Sequence, residues 1–341
     1  MFSGFRAGLF ALLSVVLATV LGAALIPAVS GPDPLNGPAA PVVGAANDTT
    51  TPFNLVSMPA LIHRSYDVSP LRFDANSSPS RGFVRHAISY RVEGLRLTGT
   101  LLLPNHRPAH GVPVIVAVHG WQPAGRYLRG AGLVREERLL ASAGYVVLHP
   151  DLRNWGGSSV ESGEAESAPT GYPADVIAAV LALRESRLPG VDLSRVGLLG
   201  RSMGGGVALQ AAAAEPDLFD AVMLYSPVSS SAADNFRQFN PWTRGLGARV
   251  IAAYGSPESQ PSFWARASVR NYVERLDMPV RIDHGSQDVV TLPQWSRTTV
   301  AAIEDAGGQA TFVSWPGEGH RFDRSWPSYA EQMLGYFRAN V

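Results

Sequence analysis

Gly200-Arg201-Ser202-Met203-Gly204 forms a G-x-S-x-G pattern, in which flanking glycines permit the strained turn that pushes a serine hydroxyl outward between a strand and a helix. With 34 glycines among 341 residues the bare pattern arises easily, so its surroundings must carry the reading. They do: VGLLG before Ser202 is a short apolar run of strand type, and GGGVALQAAAAE after it has helix-forming composition. The competing reading makes Ser202 only the cap of that helix, its side chain accepting a backbone N–H.

A serine hydroxyl is a poor nucleophile near neutral pH and needs a base, for which imidazole, with an ordinary pKa of about 6.5, is suited. Of eight histidines, His320 fits best. It follows the apolar run ATFVSW in the loop PGEGHRF and comes after the serine, near the chain end. His119 and His284 precede glycines at strand ends and read as structural or loop-shaping residues, while His149 sits beside Pro150 at another strand end. His63, His86, His106 and His110 come too early in the chain.

The imidazole also needs a carboxylate on its far nitrogen to fix the tautomer and offset its transient charge. Asp288, in DHGSQDVV after the run PVRID, lies between Ser202 and His320 in sequence and supplies it. Asp283 falls inside the strand run, Asp323 follows the histidine, and Glu318 is close enough to shape the histidine's own loop. A turn-forming role is the alternative for Asp288. Attack on a carbonyl would further require two N–H donors for an oxyanion. Met203, next to the serine, offers one backbone N–H, and Trp121, in the loop His119-Gly120-Trp121 after the run VIVAV, offers the second. An ordinary glycine turn with Trp121 as an apolar contact remains compatible with that loop.

These residues need a scaffold that brings strand ends together. The runs VPVIVAVHG, GYVVLHPD, SRVGLLGRS, DAVMLYSP, PVRIDHGSQD and ATFVSWPGEGH suit buried parallel strands. LVREERLLASA, PADVIAAVLALRES, MGGGVALQAAAAE and SYAEQMLGYFRANV between and after them read as helices. The expected architecture is α/β, a mostly parallel twisted sheet with helices on both faces. GFVRHAISYRV and LRLTGTLLLP around Glu93-Gly94 predict an N-terminal antiparallel hairpin. Residues 228–273, rich in aromatics, read as an insertion over the site, its rings forming a small core of their own in preference to a ligand cradle.

The outer organisation follows from composition. Leu9–Ile26 is almost wholly apolar, and Ala28-Val29-Ser30 offers small residues for cleavage, so residues 1–30 predict a signal peptide or a membrane anchor and an exported catalytic domain, secreted or anchored. Residues 31–80 read as a linker or extension and 81–341 as the catalytic domain. The 28 basic and 28 acidic residues balance, which argues against nucleic acid as a partner. The chain has no cysteine, which excludes disulfides and thiol catalysis. No H-E-x-x-H pattern points to a metal, and the sequence specifies no oligomeric state.

Taken in order, GTLLLP, AVHGW, DLRNWGGS, GRSMGG, DHGSQD and GEGHRF resemble the α/β-hydrolase superfamily, nearest its prolyl-oligopeptidase-like and dienelactone-hydrolase-like branch, from about residue 83 to the C-terminus. That resemblance implies hydrolysis of an ester or peptide carbonyl through an acyl-serine, without metal or organic cofactor, Ser202, His320 and Asp288 taking the three roles. It departs from the oligopeptidases in leaving too little sequence before residue 81 for their propeller. The expected substrate is therefore a small ester first and a short peptide second, with membrane contact only through an uncleaved N-terminus. A non-catalytic binding module on the same fold is the alternative from another class.

Overall fold

The computed structural model describes residues 57–341 apart from 162–163 and 243–244. The apolar run Leu9–Ile26 and the linker stretch 31–56 lie outside the described residues. Among the described residues, no helix is long and apolar enough to cross a membrane.

The first helix α1 (Met58–Ile62) leads to three antiparallel strands, β1 (Arg72–Pro79), β2 (Phe83–Val92) and β3 (Leu95–Pro104). Strand β4 (Val112–Val118), helix α2 (Val134–Ser142), strand β5 (Val146–Asp151), helix α3 (Glu164–Glu185), strand β6 (Val191–Arg201), helix α4 (Met203–Ala214) and strand β7 (Ala221–Tyr225) follow. Helices α5 (Ala232–Phe239), α6 (Leu246–Tyr254) and α7 (Pro261–Ala267) precede β8 (Val280–Gly285), α8 (Pro293–Asp305), β9 (Ala310–Trp315) and α9 (Trp326–Asn340). The nine strands form one sheet in the order β1-β2-β3-β5-β4-β6-β7-β8-β9, parallel from β5 through β9.

Burial on both faces explains why the central strands read as unbroken apolar runs. Val114, Val116 and Val118 of β4 enter one apolar layer, together with Leu198 of β6 and residues of α3 and α4. Their neighbours Ile115, Ala117 and Leu199 enter the other, against Leu140 of α2 and Tyr329, Met333 and Phe337 of α9. A strand covered on both sides has no polar face to alternate with. The expected hairpin is present: β2 and β3 pair from Phe83↔Pro104 to Val92↔Leu95, and Glu93 and Gly94 both take positive φ, as a two-residue turn of matching twist demands.

Folded structure begins ahead of the boundary expected at residue 81. β1 pairs with β2, and α1 packs against α3, α4 and α7 with Met58 and Leu61 almost fully buried. Ser57 caps this helix by accepting the Ala60 N–H. One helical turn and a strand with only one paired edge carry little periodicity, which is why composition suggests a linker there.

Topology decides where a site can form. The chain leaves β4 for β5 on one side and returns to β6 on the other, so the crossovers diverge at the carboxyl ends of β4 and β6. That divergence opens the crevice in which α/β sheets bind ligands.

Truncating Leu61, a residue a linker would leave exposed, is expected to reveal its place in the core. Leu61→Ala should lower unfolding free energy by about 2–5 kcal/mol. Urea denaturation of the purified domain measures this, and an unchanged midpoint would refute the integration of residues 57–80.

Candidate active site

Ser202 stands between β6 and α4 with φ 56 and ψ −123, a conformation that side chains other than glycine seldom adopt. Its backbone is held on both sides: its N–H donates to the Tyr225 carbonyl at 3.0 Å, and its carbonyl accepts from Gly205 at 2.9 Å and Val228 at 3.1 Å. The glycines of the motif answer to space. A β-carbon on Gly204 would lie 2.1 Å from the Val118 carbonyl oxygen, and one on Gly200 would lie 2.5 Å from that of Gly204. The Ser202 side chain makes no capping bond to α4, so the helix-cap reading does not describe it.

Its Oγ instead lies 3.0 Å from Nε2 of His320, whose Nδ1 lies 2.8 Å from Oδ2 of Asp288. The three residues singled out from sequence thus meet in one hydrogen-bonded chain, although they come from the ends of three different strands. His320 is positioned by its loop: Phe322 N–H donates to the Tyr225 hydroxyl at 2.6 Å, and Glu318 accepts the Ser325 and Asp323 N–H groups. Gln287 N–H bonds the Glu318 carbonyl and lashes the acid loop to the histidine loop.

Asp288 is the most heavily hydrogen-bonded member. Its Oδ1 accepts the N–H groups of Val290 and Thr291, while Oδ2 accepts from His320 and lies 2.8 Å from the Thr291 hydroxyl and 3.2 Å from His284 Nε2. Burial pushes this carboxyl up, but the hydrogen bonds of His284 and His320, the charge of His320 and the Thr291 hydroxyl outweigh it. Together they hold Asp288 well below the usual carboxylate range. His284 is fixed in turn by the Ser296 hydroxyl at 2.7 Å and the Thr291 carbonyl at 2.9 Å. Thr291 and His284 are supports that sequence reasoning did not assign to Asp288. The spacing Asp288 to Thr291, typical of a side chain accepting N–H groups of its own turn, was the available signal.

The loop after β4 passes directly over the serine, since a β-carbon on Gly120 would lie 3.1 Å from Ser202 Cβ. His119 bonds the Gly120 carbonyl through Nδ1 at 2.8 Å and accepts the Leu152 N–H at Nε2, so both ring nitrogens are engaged. Burial first, and His149 second, push its pKa down to about 3. Trp155 Nε1 donates to the Gln122 carbonyl and pins the far side of the loop. The backbone N–H groups of Trp121 and Met203, the expected oxyanion donors, carry no hydrogen bond among the described residues, and Met203 opens α4, whose positive end faces this point.

Ser202 and His320 open into a cavity of about 480 Å³ walled by Trp121, Gln122, Val134, Arg135, Glu136, Arg201 and Arg321. No described residue of 228–273 lines it. The helices α5 to α7 bury Tyr254, Phe263 and Trp264 against one another and against Phe236, so the insertion satisfies its own apolar surface beside the site. It touches the triad at its first residue, where the Val228 N–H donates to the Ser202 carbonyl, and its helix α5 reaches the acid loop through Gln238, which donates to the Val290 carbonyl beyond Asp288.

The family model for the prolyl oligopeptidase family matches residues 133–341, a span that contains Ser202, Asp288 and His320. The chain belongs to the prolyl oligopeptidase family. Its fold is that of the α/β hydrolases. No curated protein matches it in sequence. Among solved structures it is similar to an acetyl xylan esterase from Paenibacillus sp. R4, at 18% identity and TM-score 0.65, over 85% of this chain and 95% of that one. It is similar also to an acylaminoacyl peptidase of Pyrococcus horikoshii, at 18% identity and TM-score 0.62, over 76% of this chain and 42% of that one. Dipeptidyl peptidase 4 of Porphyromonas gingivalis matches at 18% identity and TM-score 0.57, over 81% of this chain and 43% of that one. The chain therefore spans less than half the length of the two peptidases, and likenesses this distant report the fold alone.

Because the folded state depresses the Asp288 pKa, the carboxylate contributes stability that is fully present above its unfolded value of about 3.9. That contribution is lost as pH falls through the lower folded value. The stability difference between the native chain and Asp288→Asn should shift against the native chain as pH falls from about 5 to below about 4. Urea unfolding across that range tests this, and a difference independent of pH would contradict the ion-holding role of the loop.

Proposed function

We propose that this family member hydrolyses small carboxylic esters, with Ser202 as nucleophile, His320 as general base and Asp288 as the group that orients and compensates the imidazole. The observation that carries the reading is the continuous chain from Ser202 Oγ through His320 to Asp288 at the floor of an open cavity. Ser202 Oγ attacks the ester carbonyl while His320 Nε2 takes its proton. The tetrahedral oxyanion receives the N–H groups of Met203 and Trp121, helped by the positive end of α4. Collapse expels the alcohol, which takes the proton back from His320 and leaves an acyl-serine. Water, deprotonated by the same nitrogen, then attacks the acyl carbon, and the carboxylic acid leaves as Ser202 recovers its proton.

The preference for esters rests on the accessible site, whose walls leave Trp121 65% exposed. Cleavage of short peptides is the second reading, supported by the family match. We infer further that residues 1–30 direct export, with the catalytic domain outside the cytoplasm, a reading supported by the apolar run Leu9–Ile26 behind Arg6. Deleting residues 1–30 should leave the hydrolase inside an expressing bacterial cell, and unchanged export of the shortened chain would refute this.

Ser202→Ala is expected to lower kcat on 4-nitrophenyl esters by about 10⁶-fold with an unchanged thermal midpoint, and Asp288→Asn by about 10⁴-fold. Aminoacyl 4-nitroanilides measured alongside distinguish the two substrate readings. Faster anilide than ester turnover would reverse the order proposed, and full activity in Ser202→Ala would remove the assignment.

A further inference from the structure

Arg201 is the residue before the nucleophile and lines the cavity, yet its guanidinium makes no hydrogen bond or ion pair among the described residues. Its Nε is buried without a partner, and its recorded contact is with the face of Tyr225, 5.4 Å from the ring centroid. An always charged fork whose Nε is buried without a partner beside a reacting serine is costly to keep unless something pairs with it. Two further guanidiniums share the cavity. Arg135 lies over the Trp326 ring and reaches Glu136 at 3.4 Å and Asp323 at 3.6 Å, while Arg321 stands 4.0 Å from the same exposed Asp323. Three cations thus face two carboxylates. One of these, Glu136, is buried, and that burial shifts it toward its neutral form.

We infer that Arg201, assisted at the rim by Arg135 and Arg321, binds a carboxylate carried by the substrate, so that the site selects acidic esters or peptides over neutral ones. This deepens the hydrolytic reading and rests on it. A planar carboxylate is the group an Arg fork receives through two parallel charge-assisted hydrogen bonds, and the partly buried setting strengthens them. The carboxylate sits either on the acyl side, as in the half-ester of a dicarboxylic acid, or on the leaving group.

Two matched pairs separate these sources: mono-4-nitrophenyl adipate against 4-nitrophenyl hexanoate, and 4-acetoxybenzoate against phenyl acetate, each rate divided by the alkaline hydrolysis rate of the same ester. In the native enzyme the acidic member of one pair is expected to lead in kcat/KM by about tenfold or more. That ratio should fall about tenfold in Arg201→Gln and recover in part in Arg201→Lys. Should Arg201→Gln fail to fold, the native enzyme still decides, because added salt should erode the acidic member's lead while sparing the neutral ester. Ratios at or below one in both pairs, or a lead insensitive to Arg201 and to salt, would overturn the inference alone. Turnover that survives in Ser202→Ala would overturn the hydrolytic reading and this one with it.

Discussion

The contact between Gly204 and the end of β4 is the constraint on which the site depends. α4 can start where it does only because no side chain separates Gly204 from the Val118 carbonyl, where a β-carbon would leave 2.1 Å. That approach forces the chain to reverse within one residue, and Ser202 absorbs the reversal at φ 56. Such a backbone costs about 1–3 kcal/mol and persists only where its surroundings over-determine it. Here the bond from Ser202 N–H to Tyr225, the bonds of Gly205 and Val228 to the Ser202 carbonyl, and two apolar layers around β4, β6 and β7 do so. The strain keeps the hydroxyl off the helix end and turned toward His320.

A second support runs beneath the loop of Gly120 and Trp121. His149 lies fully buried between Glu137, paired at Nδ1, and the Tyr127 hydroxyl, 3.1 Å from Nε2. Tyr127 donates to Asp151 Oδ1 at 2.8 Å, and Asp151 also accepts the Gly130 N–H and the Thr98 hydroxyl. Burial alone would push His149 down, but the charge and hydrogen bond of Glu137 outweigh it and raise its pKa. Because Tyr127 gives its one hydroxyl hydrogen to Asp151, His149 donates to it from Nε2 while Nδ1 pairs with Glu137. The His119 ring, 5.6 Å from that of His149, is held neutral by its burial first and by His149 second, and serves the loop rather than the proton transfer. A buried polar network of this kind is tolerable only when every member is satisfied, and it then fixes one geometry.

Much of this was legible in the sequence for a physical reason. The central parallel strands β4 to β8 are largely buried on both faces, so each announces itself as an apolar run, and the residue that ends each run is where chemistry becomes possible. VGLLG led to Ser202, PVRID to Asp288 and ATFVSW to His320 on that logic. Apart from the edge strand β9, elements with one buried face or one paired edge did not announce themselves. β1 alternates weakly, α1 is a single turn, and α8 mixes Thr298, Thr299 and Val300 into a helix whose inward residues, Ser296, Thr299, Val300 and Ile303, are only half apolar. The placement of the insertion was illegible as well, because aromatic content shows that a segment buries surface without showing against what.

The division between what was readable and what was not mirrors a division of labour in the molecule. Residues that hold the reacting chain together are satisfied by neighbours of fixed type: a carboxylate ringed by donors at Asp288, a glycine wherever backbone meets backbone. Sequence pattern constrains them tightly. Residues that face the cavity are constrained by what enters it, and the variable position of the motif, Arg201, is the sharpest instance. Its backbone belongs to β6, in register with Tyr225, and would accept many side chains, since the strand needs only its peptide groups. The guanidinium at that point gives the fold only its contact with the Tyr225 ring, and its buried Nε detracts from it. A stability cost placed one residue from the nucleophile, where the scaffold does not require it, is the pattern expected of a group kept for its ligand.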